Sequence, residues 1–391
     1  FFKQKTAYEI PKRDWSSDVC SSDLAIVGYR ISQRWWPHEL GPTSDSLAWM
    51  AIPTTATLIA VGLAAATRSL GRRGAIASRS PAIGLVLGGL ICGAVVISSP
   101  RLDPRADTLP TPAATGWATI VETTSLDGVA TFRGRSVVMA LTEEVGGLTL
   151  GRAAPFDWTL RWGVPVLNEH SHLQTPASFE FFSHFLFRSE DGQIRNHPGL
   201  RRIDERILQL LGVRYLVTDW RAPLGSYRPV KGSPLVETPY GRLPLLESAV
   251  YNDGSFSPVS VVVSRGLTET YRRMADPDLD LATHVVTDDP SLAEARLVPA
   301  RGVILSHDAG DLHVVAESDG ESLLVLPLEY STCLRVRPRH GQVPSLHRVD
   351  AVLMGIKFSR RLDADLEFRF GPGPWATCRL RDLADFRAAQ S

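Results

Sequence analysis

The sequence predicts a membrane α-helical hairpin, then an extracytoplasmic α/β region, then a C-terminal antiparallel β-sandwich. Three observations predict it. Two 21-residue runs, Leu47–Thr67 and Ser80–Pro100, carry no charge. A helix-spaced segment, Arg202 to Leu211, stops at Gly212 and feeds the strand-like Val213–Thr218. From about Arg242 onward, strand-length apolar runs alternate with turn signals.

The first element is excluded from fold reasoning. Residues 1–24, with Lys3 to Ile10 and Asp14 to Leu24 as the diagnostic stretches, resemble a translated sequencing adapter. The expectation that follows is a C-terminal fragment of a longer protein, joined at about Ala25. Residues 25–46 then read as an outer loop.

Each charge-free run, at 1.5 Å rise per residue, reaches about 31 Å as a helix, the hydrocarbon thickness of a bilayer. Residues 47–67 and 80–100 therefore read as transmembrane helices. The competing reading is a buried helical pair in a soluble core. The connecting residues 68–79 hold Arg68, Arg72, Arg73 and Arg79 and no acid. Short arginine-rich loops stay cytoplasmic, so the chain after Pro100 is expected outside. Gly84, Gly88, Gly89 and Gly93 fall at small-residue spacing for close helix approach, or reflect ordinary glycine use in membrane helices.

Residues 101–116 are rich in proline, threonine and alanine and read as a tether. Residues 117–241 form the expected α/β region. Val137–Leu141 reads as a buried strand and Ser178–Phe187 as an aromatic helix. Residues 242–391 form the expected mainly β domain, with strands at Leu243–Val250, Val259–Val263, Leu312–Ala316, Leu323–Leu328 and Leu366–Phe370, and one helix near Thr268–Met274. Asn252-Asp-Gly254 and Ser318-Asp-Gly320 are the turn signals between some of them.

Charge excludes one class of function. The chain has 42 basic and 42 acidic residues, and setting aside residues 1–24 removes four of each. A neutral chain lacks the basic surface that nucleic acid needs. Of four cysteines, only Cys333 and Cys378 lie outside residues 1–24 and the apolar runs. Two cysteines do not complete a structural zinc site. In an oxidising compartment they are placed to form one disulfide, the alternative being two buried free thiols.

The chain from residue 47 onward resembles the YfhO-type bacterial membrane proteins. The residues that carry the resemblance are Leu210-Leu-Gly-Val-Arg-Tyr-Leu-Val-Thr218, Arg161-Trp-Gly-Val-Pro-Val-Leu-Asn168, Glu321 to Tyr330, His347 to Ile356, and Asp365 to Phe370. Thr332-Cys333 stands where that family has Gly-Trp. The family resembles C-type-fold glycosyltransferases that use polyprenyl-phosphate-linked sugars for cell-surface polymers. The resemblance implies a multi-pass protein of the bacterial cytoplasmic membrane with its C-terminal domain outside and its catalytic acid in an early outer loop. It implies as partners the lipid bilayer, N-terminal transmembrane helices, a polyprenyl-phosphate sugar and cell-surface glycan. The alternative is a non-catalytic, membrane-anchored outer module that binds glycan or a protein.

No P-loop, zinc-protease or nucleophile-elbow motif occurs, so no catalytic, cofactor-binding or metal residue is assigned and no cofactor is expected. Four features carry candidate chemistry. Glu169, His170 and His172 have metal-ligand chemistry, against a plain polar loop. Asp219 follows a strand in an α/β unit, a favoured site position, against a capping or turn role. Glu39 is a general base only if a substrate is brought to it. Phe179–Phe187 would grip lipid or sugar, against core packing.

Overall fold

The computed structural model describes residues 111–126, 130–142, 162–168, 175–191, 199–232, 235–238, 241–308, 311–341, 343–368 and 377–390. All fall in the second of two compact units, Pro110–Ser391. Residues 1–24, the loop with Glu39, and the runs at 47–67 and 80–100 with their connection lie outside the described residues.

In chain order the elements are α1 (Pro112–Thr115), α2 (Ala118–Thr124), β1 (Ala130–Thr131), β2 (Arg135–Met139), α3 (Pro176–Phe185), α4 (Glu205–Leu210), β3 (Val213–Thr218) and β4 (Arg228–Pro229). There follow β5 (Val236–Thr238), β6 (Gly241–Leu243), β7 (Leu245–Glu247), β8 (Ser260–Val263), α5 (Leu267–Met274), β9 (His284–Thr287) and α6 (Pro290–Ala293). The chain then runs through β10 (Arg301–Asp308), β11 (Asp311–Glu329), β12 (Leu334–Pro338), β13 (Ser345–Val349), β14 (Leu353–Phe368) and α7 (Thr377–Ala389).

The α/β region is built on a four-stranded mixed sheet, β2-β3-β7-β4. β2 and β3 are parallel, and β7 lies antiparallel to both β3 and β4. Thr175 and Asp204 cap α3 and α4 by accepting backbone amides from Ser178 and Ile207. α4 ends as its sequence requires: Gly212 takes φ 75°, and a Cβ there would stand 2.7 Å from the Asn252 carbonyl oxygen. Asn168, fully buried, accepts the Val138 amide and donates to the Val138 carbonyl. It thereby supplies a side-chain pairing partner for β2.

Helices α3 and α4, β2, β3 and the β8-α5-β9 crossover share one core. Phe181, Phe182 and Phe185 of α3 are buried in it, with Phe181 5.0 Å from Phe185 and 6.3 Å from Tyr271 between ring centroids. The aromatic run is therefore core packing.

The described residues correct the predicted fold class. None of their helices is long and apolar enough to cross a membrane. α7, at 13 residues, carries Arg381, Asp382, Asp385 and Arg387. The apolar residues of this part instead recur at strand spacing and fill sheets.

The predicted two-sheet sandwich is one antiparallel sheet, β1-β10-β11-β14-β12, with β13 also on β14. The two strands expected at Leu312–Ala316 and Leu323–Leu328 are a single 19-residue strand, β11. Ser318-Asp-Gly320 is not a turn. The ladder with β14 slips there, between Glu317 and Glu321, opposite Arg360 at φ 65°. The turn-forming residues are absorbed as an irregular bulge because the apolar residues on both sides pair with the same neighbour.

Alternation along β11 explains its unbroken apolar run. Leu323 and Val325 enter the core shared with α3 and α4, while Leu324 and Leu326 enter a second core on the opposite face. That second core draws on β10, β11, β12, β14 and Phe132, and on no helix among the described residues.

Candidate functional site

β8 and β9 are parallel, joined through α5. The carboxyl ends of parallel strands are where α/β units place their chemistry, because chain leaves the sheet there as adaptable loops. β9 ends at Thr287 and delivers Asp288 and Asp289 to that edge. β13 arrives from the large sheet, held beside β9 by the Thr287 hydroxyl donating to the Arg348 carbonyl at 3.1 Å.

Asp289 does two things. One carboxylate oxygen accepts the Ser291 amide at 2.8 Å and caps α6. The other lies 2.7 Å from Nδ1 of His347. On the far side of the ring, Nε2 lies 2.7 Å from the Ser345 hydroxyl. Burial raises the Asp289 carboxyl, but hydrogen bonds from Ser291 and His347 outweigh it and hold the group below the usual carboxylate range. An ionised Asp289 accepts a hydrogen bond from Nδ1–H, and in a neutral imidazole that leaves Nε2 as the acceptor for the Ser345 O–H.

The His347 side chain is 8% exposed, whereas Ser345 opens to solvent. The buried imidazole is thus clamped between a half-buried carboxylate and a surface hydroxyl. Arg348 pairs with Asp288 at 2.6 Å and balances the second acid of the edge.

Local sequence pattern does not encode this constellation. Ser345 and His347 are two apart, so a strand puts them on one face. Asp289 is 58 residues away from His347, and only the fold joins them.

Other residues singled out by sequence fare differently. Asp219 accepts the amides of Leu141 at 2.8 Å and Thr142 at 3.0 Å. It ties down the chain leaving β2 from 77 and 78 residues away, a structural role that is neither a local cap nor a turn. Glu169, His170 and His172 lie outside the described residues, as does Glu39. Among the described residues no group of three or more His, Cys, Asp or Glu side chains is placed to hold a metal.

Cys333 and Cys378 form a disulfide, with Cα atoms 5.1 Å apart. The bridge joins the start of β12 to α7. Beside it Asp382 accepts the Ser331 hydroxyl at 2.6 Å and the Thr332 amide at 2.7 Å. Thr332-Cys333 therefore builds a covalent and polar clamp on α7. Comparison of the chain with family models, with curated proteins and with solved structures gave no match.

Proposed function

We propose that this domain is an extracytoplasmic module of a bacterial cell-envelope protein of the glycosyltransferase-like type, and that it handles cell-surface glycan on the outer side of the cytoplasmic membrane. The observation that carries the reading is the Cys333–Cys378 bridge. Disulfides persist in oxidising compartments and are rare in a reducing cytosol. The resemblance of Leu210–Thr218 and Glu321–Tyr330 to the YfhO-type proteins supplies the rest.

A surface feature suits a glycan. Trp220, 40% exposed, follows Asp219 at the carboxyl end of β3, with exposed Arg221 next to it. An indole face and a guanidinium match the apolar face and hydroxyls of a sugar ring.

Thiol trapping in intact cells tests the compartment. Cells producing the chain are quenched with a membrane-permeant alkylating reagent, and the peptides holding residues 333 and 378 are analysed by mass spectrometry. The expected result is a linked, unalkylated pair. Two alkylated cysteines in freshly quenched cells would overturn the extracytoplasmic reading.

A further inference from the structure

We propose that Ser345 is an acyl-accepting nucleophile, activated by His347 and positioned by Asp289, and that this edge of the domain hydrolyses carboxylic esters. The two 2.7 Å contacts define a directed relay, carboxylate to Nδ1 and Nε2 to hydroxyl. Three further facts favour it over an incidental polar chain. Ser345 is exposed while His347 is buried, so the hydroxyl is the end that a substrate reaches. The second Asp289 oxygen is fixed by the Ser291 amide, so the carboxylate cannot turn away from the ring. β13 pairs with β14 and is held beside β9 at Arg348, while Ser345, at its first position, stays exposed where an extended group can approach.

The step balances without an oxidant or a metal. The Ser345 oxygen adds to the ester carbonyl carbon while its proton passes to Nε2 of His347. The tetrahedral adduct collapses, the ester C–O bond breaks, and the leaving alcohol takes that proton. Water then adds to the acyl carbon, giving its proton to Nε2. The acid departs, and the proton returns to the Ser345 oxygen. Ester and water become acid and alcohol. Esters, not amides, are the substrate class. An exposed serine sits in a high local dielectric, where the charge stabilisation that a poor amine leaving group demands is weak.

The activity stands independently of the glycan-handling reading, because reduced cysteines in cells would leave the relay geometry unchanged. The test uses the full chain with its disulfide intact and a fluorophosphonate probe, which phosphonylates activated serines. The expected result is one labelled residue, Ser345, identified by peptide mass spectrometry. His347→Gln and Asp289→Asn should slow the labelling by factors on the order of 10³ to 10⁴. Hydrolysis of p-nitrophenyl acetate should fall in parallel. No label on the wild-type chain, label at another serine, or a labelling rate indifferent to His347→Gln would each overturn the proposal. The wild-type labelling site needs no variant, so a misfolded mutant does not rescue it.

Discussion

Asp350 and Val286 exchange two hydrogen bonds across the junction between the large sheet and the β8-α5-β9 unit. The Asp350 carboxylate accepts the Val286 amide at 2.9 Å, and the Asp350 amide donates to the Val286 carbonyl at 2.7 Å. The residue is fully buried, takes φ 46° in the β13–β14 turn, and leaves its second carboxylate oxygen without a hydrogen-bond partner. Desolvation pushes its carboxyl up to about 7, against a smaller lowering by the Val286 amide.

A sign follows for stability against pH. The folded value lies above the unfolded one, so between about pH 4 and pH 7 the native state binds the extra proton. Stability contributed by neutral Asp350 is full at the low end of that window and is lost as pH rises through 7. Asp350→Asn keeps an oxygen for the Val286 amide and tolerates the left-handed backbone. The variant should be more stable than the parent at pH 8, by on the order of 2 kcal/mol, and gain little at pH 4.5. Urea midpoints at the two pH values check this. An equal gain at both would show that the charge is not the cause.

Asn252 does for the α4 junction what Asp350 does for the β9 junction. Its side-chain amide donates to the Leu210 carbonyl at 3.2 Å and the Val325 carbonyl at 2.8 Å, and its side-chain oxygen accepts the Gly254 amide at 2.9 Å. It joins α4, a turn and β11 with one buried group. Asn252→Ala removes all three bonds inside the core and should cost about 2–4 kcal/mol. Asn252→Asp keeps the acceptor and loses both donors, and should be worse at neutral pH than at pH 4. Chemical denaturation of both variants at two pH values separates these outcomes.

Those two residues show where sequence reading succeeded and where it stopped. Asn252-Asp-Gly254 is legible as a turn, because Gly254 must take φ 100° and the residue types say so. That the same Asn252 reaches Val325 is not legible, because 73 residues of chain separate them. Val213–Thr218 is legible as a strand from its Val, Tyr, Leu, Val and Thr after the helix stop at Gly212, and α4 from its spacing and Gly212. Ser318-Asp-Gly320 reads as a turn but lies inside a strand, because pairing with β14 on both sides outweighs local turn chemistry. The one-sheet architecture escaped for the same reason, since two short strands and one long bulged strand have the same apolar pattern. The Ser345, His347 and Asp289 arrangement needed the register of β13 beside β9, which no local pattern encodes.

Gly212 offers a test of the same α4 junction through the backbone. Its φ of 75° and the 2.7 Å approach of the Asn252 carbonyl leave no room for a methyl group. Gly212→Ala should destabilise by about 2–3 kcal/mol, the left-handed penalty plus displacement of a carbonyl that is not the end of a flexible side chain. Thermal melting would show a drop of several degrees. A neutral result would mean that the α4–β3 connection adjusts, and the Asn252 bonds should then weaken in amide hydrogen exchange.

The Cys333–Cys378 bridge and Asp382 secure the same contact between α7 and the chain entering β12, so their losses should not be additive. The bridge spans 45 residues, which on the chain-entropy model stabilises by about 4 kcal/mol. Reduction of the purified chain should therefore lower the melting temperature by on the order of 10 °C. Asp382→Asn alone weakens bonds from Ser331 and Thr332 but leaves α7 tethered by the disulfide, and should cost only about 1 kcal/mol. In the Cys333→Ser/Cys378→Ser background the same Asp382→Asn change has no covalent backstop. Part of α7 then detaches, exposing Phe386, which the helix buries against the main core. The cost of Asp382→Asn should be larger there by 1 kcal/mol or more, a coupling of the size expected for groups sharing one interface. A double-mutant cycle by urea denaturation measures it. Strict additivity would show that the bridge and Asp382 act on separate parts of the fold, and that the clamp at Thr332-Cys333 is not one unit.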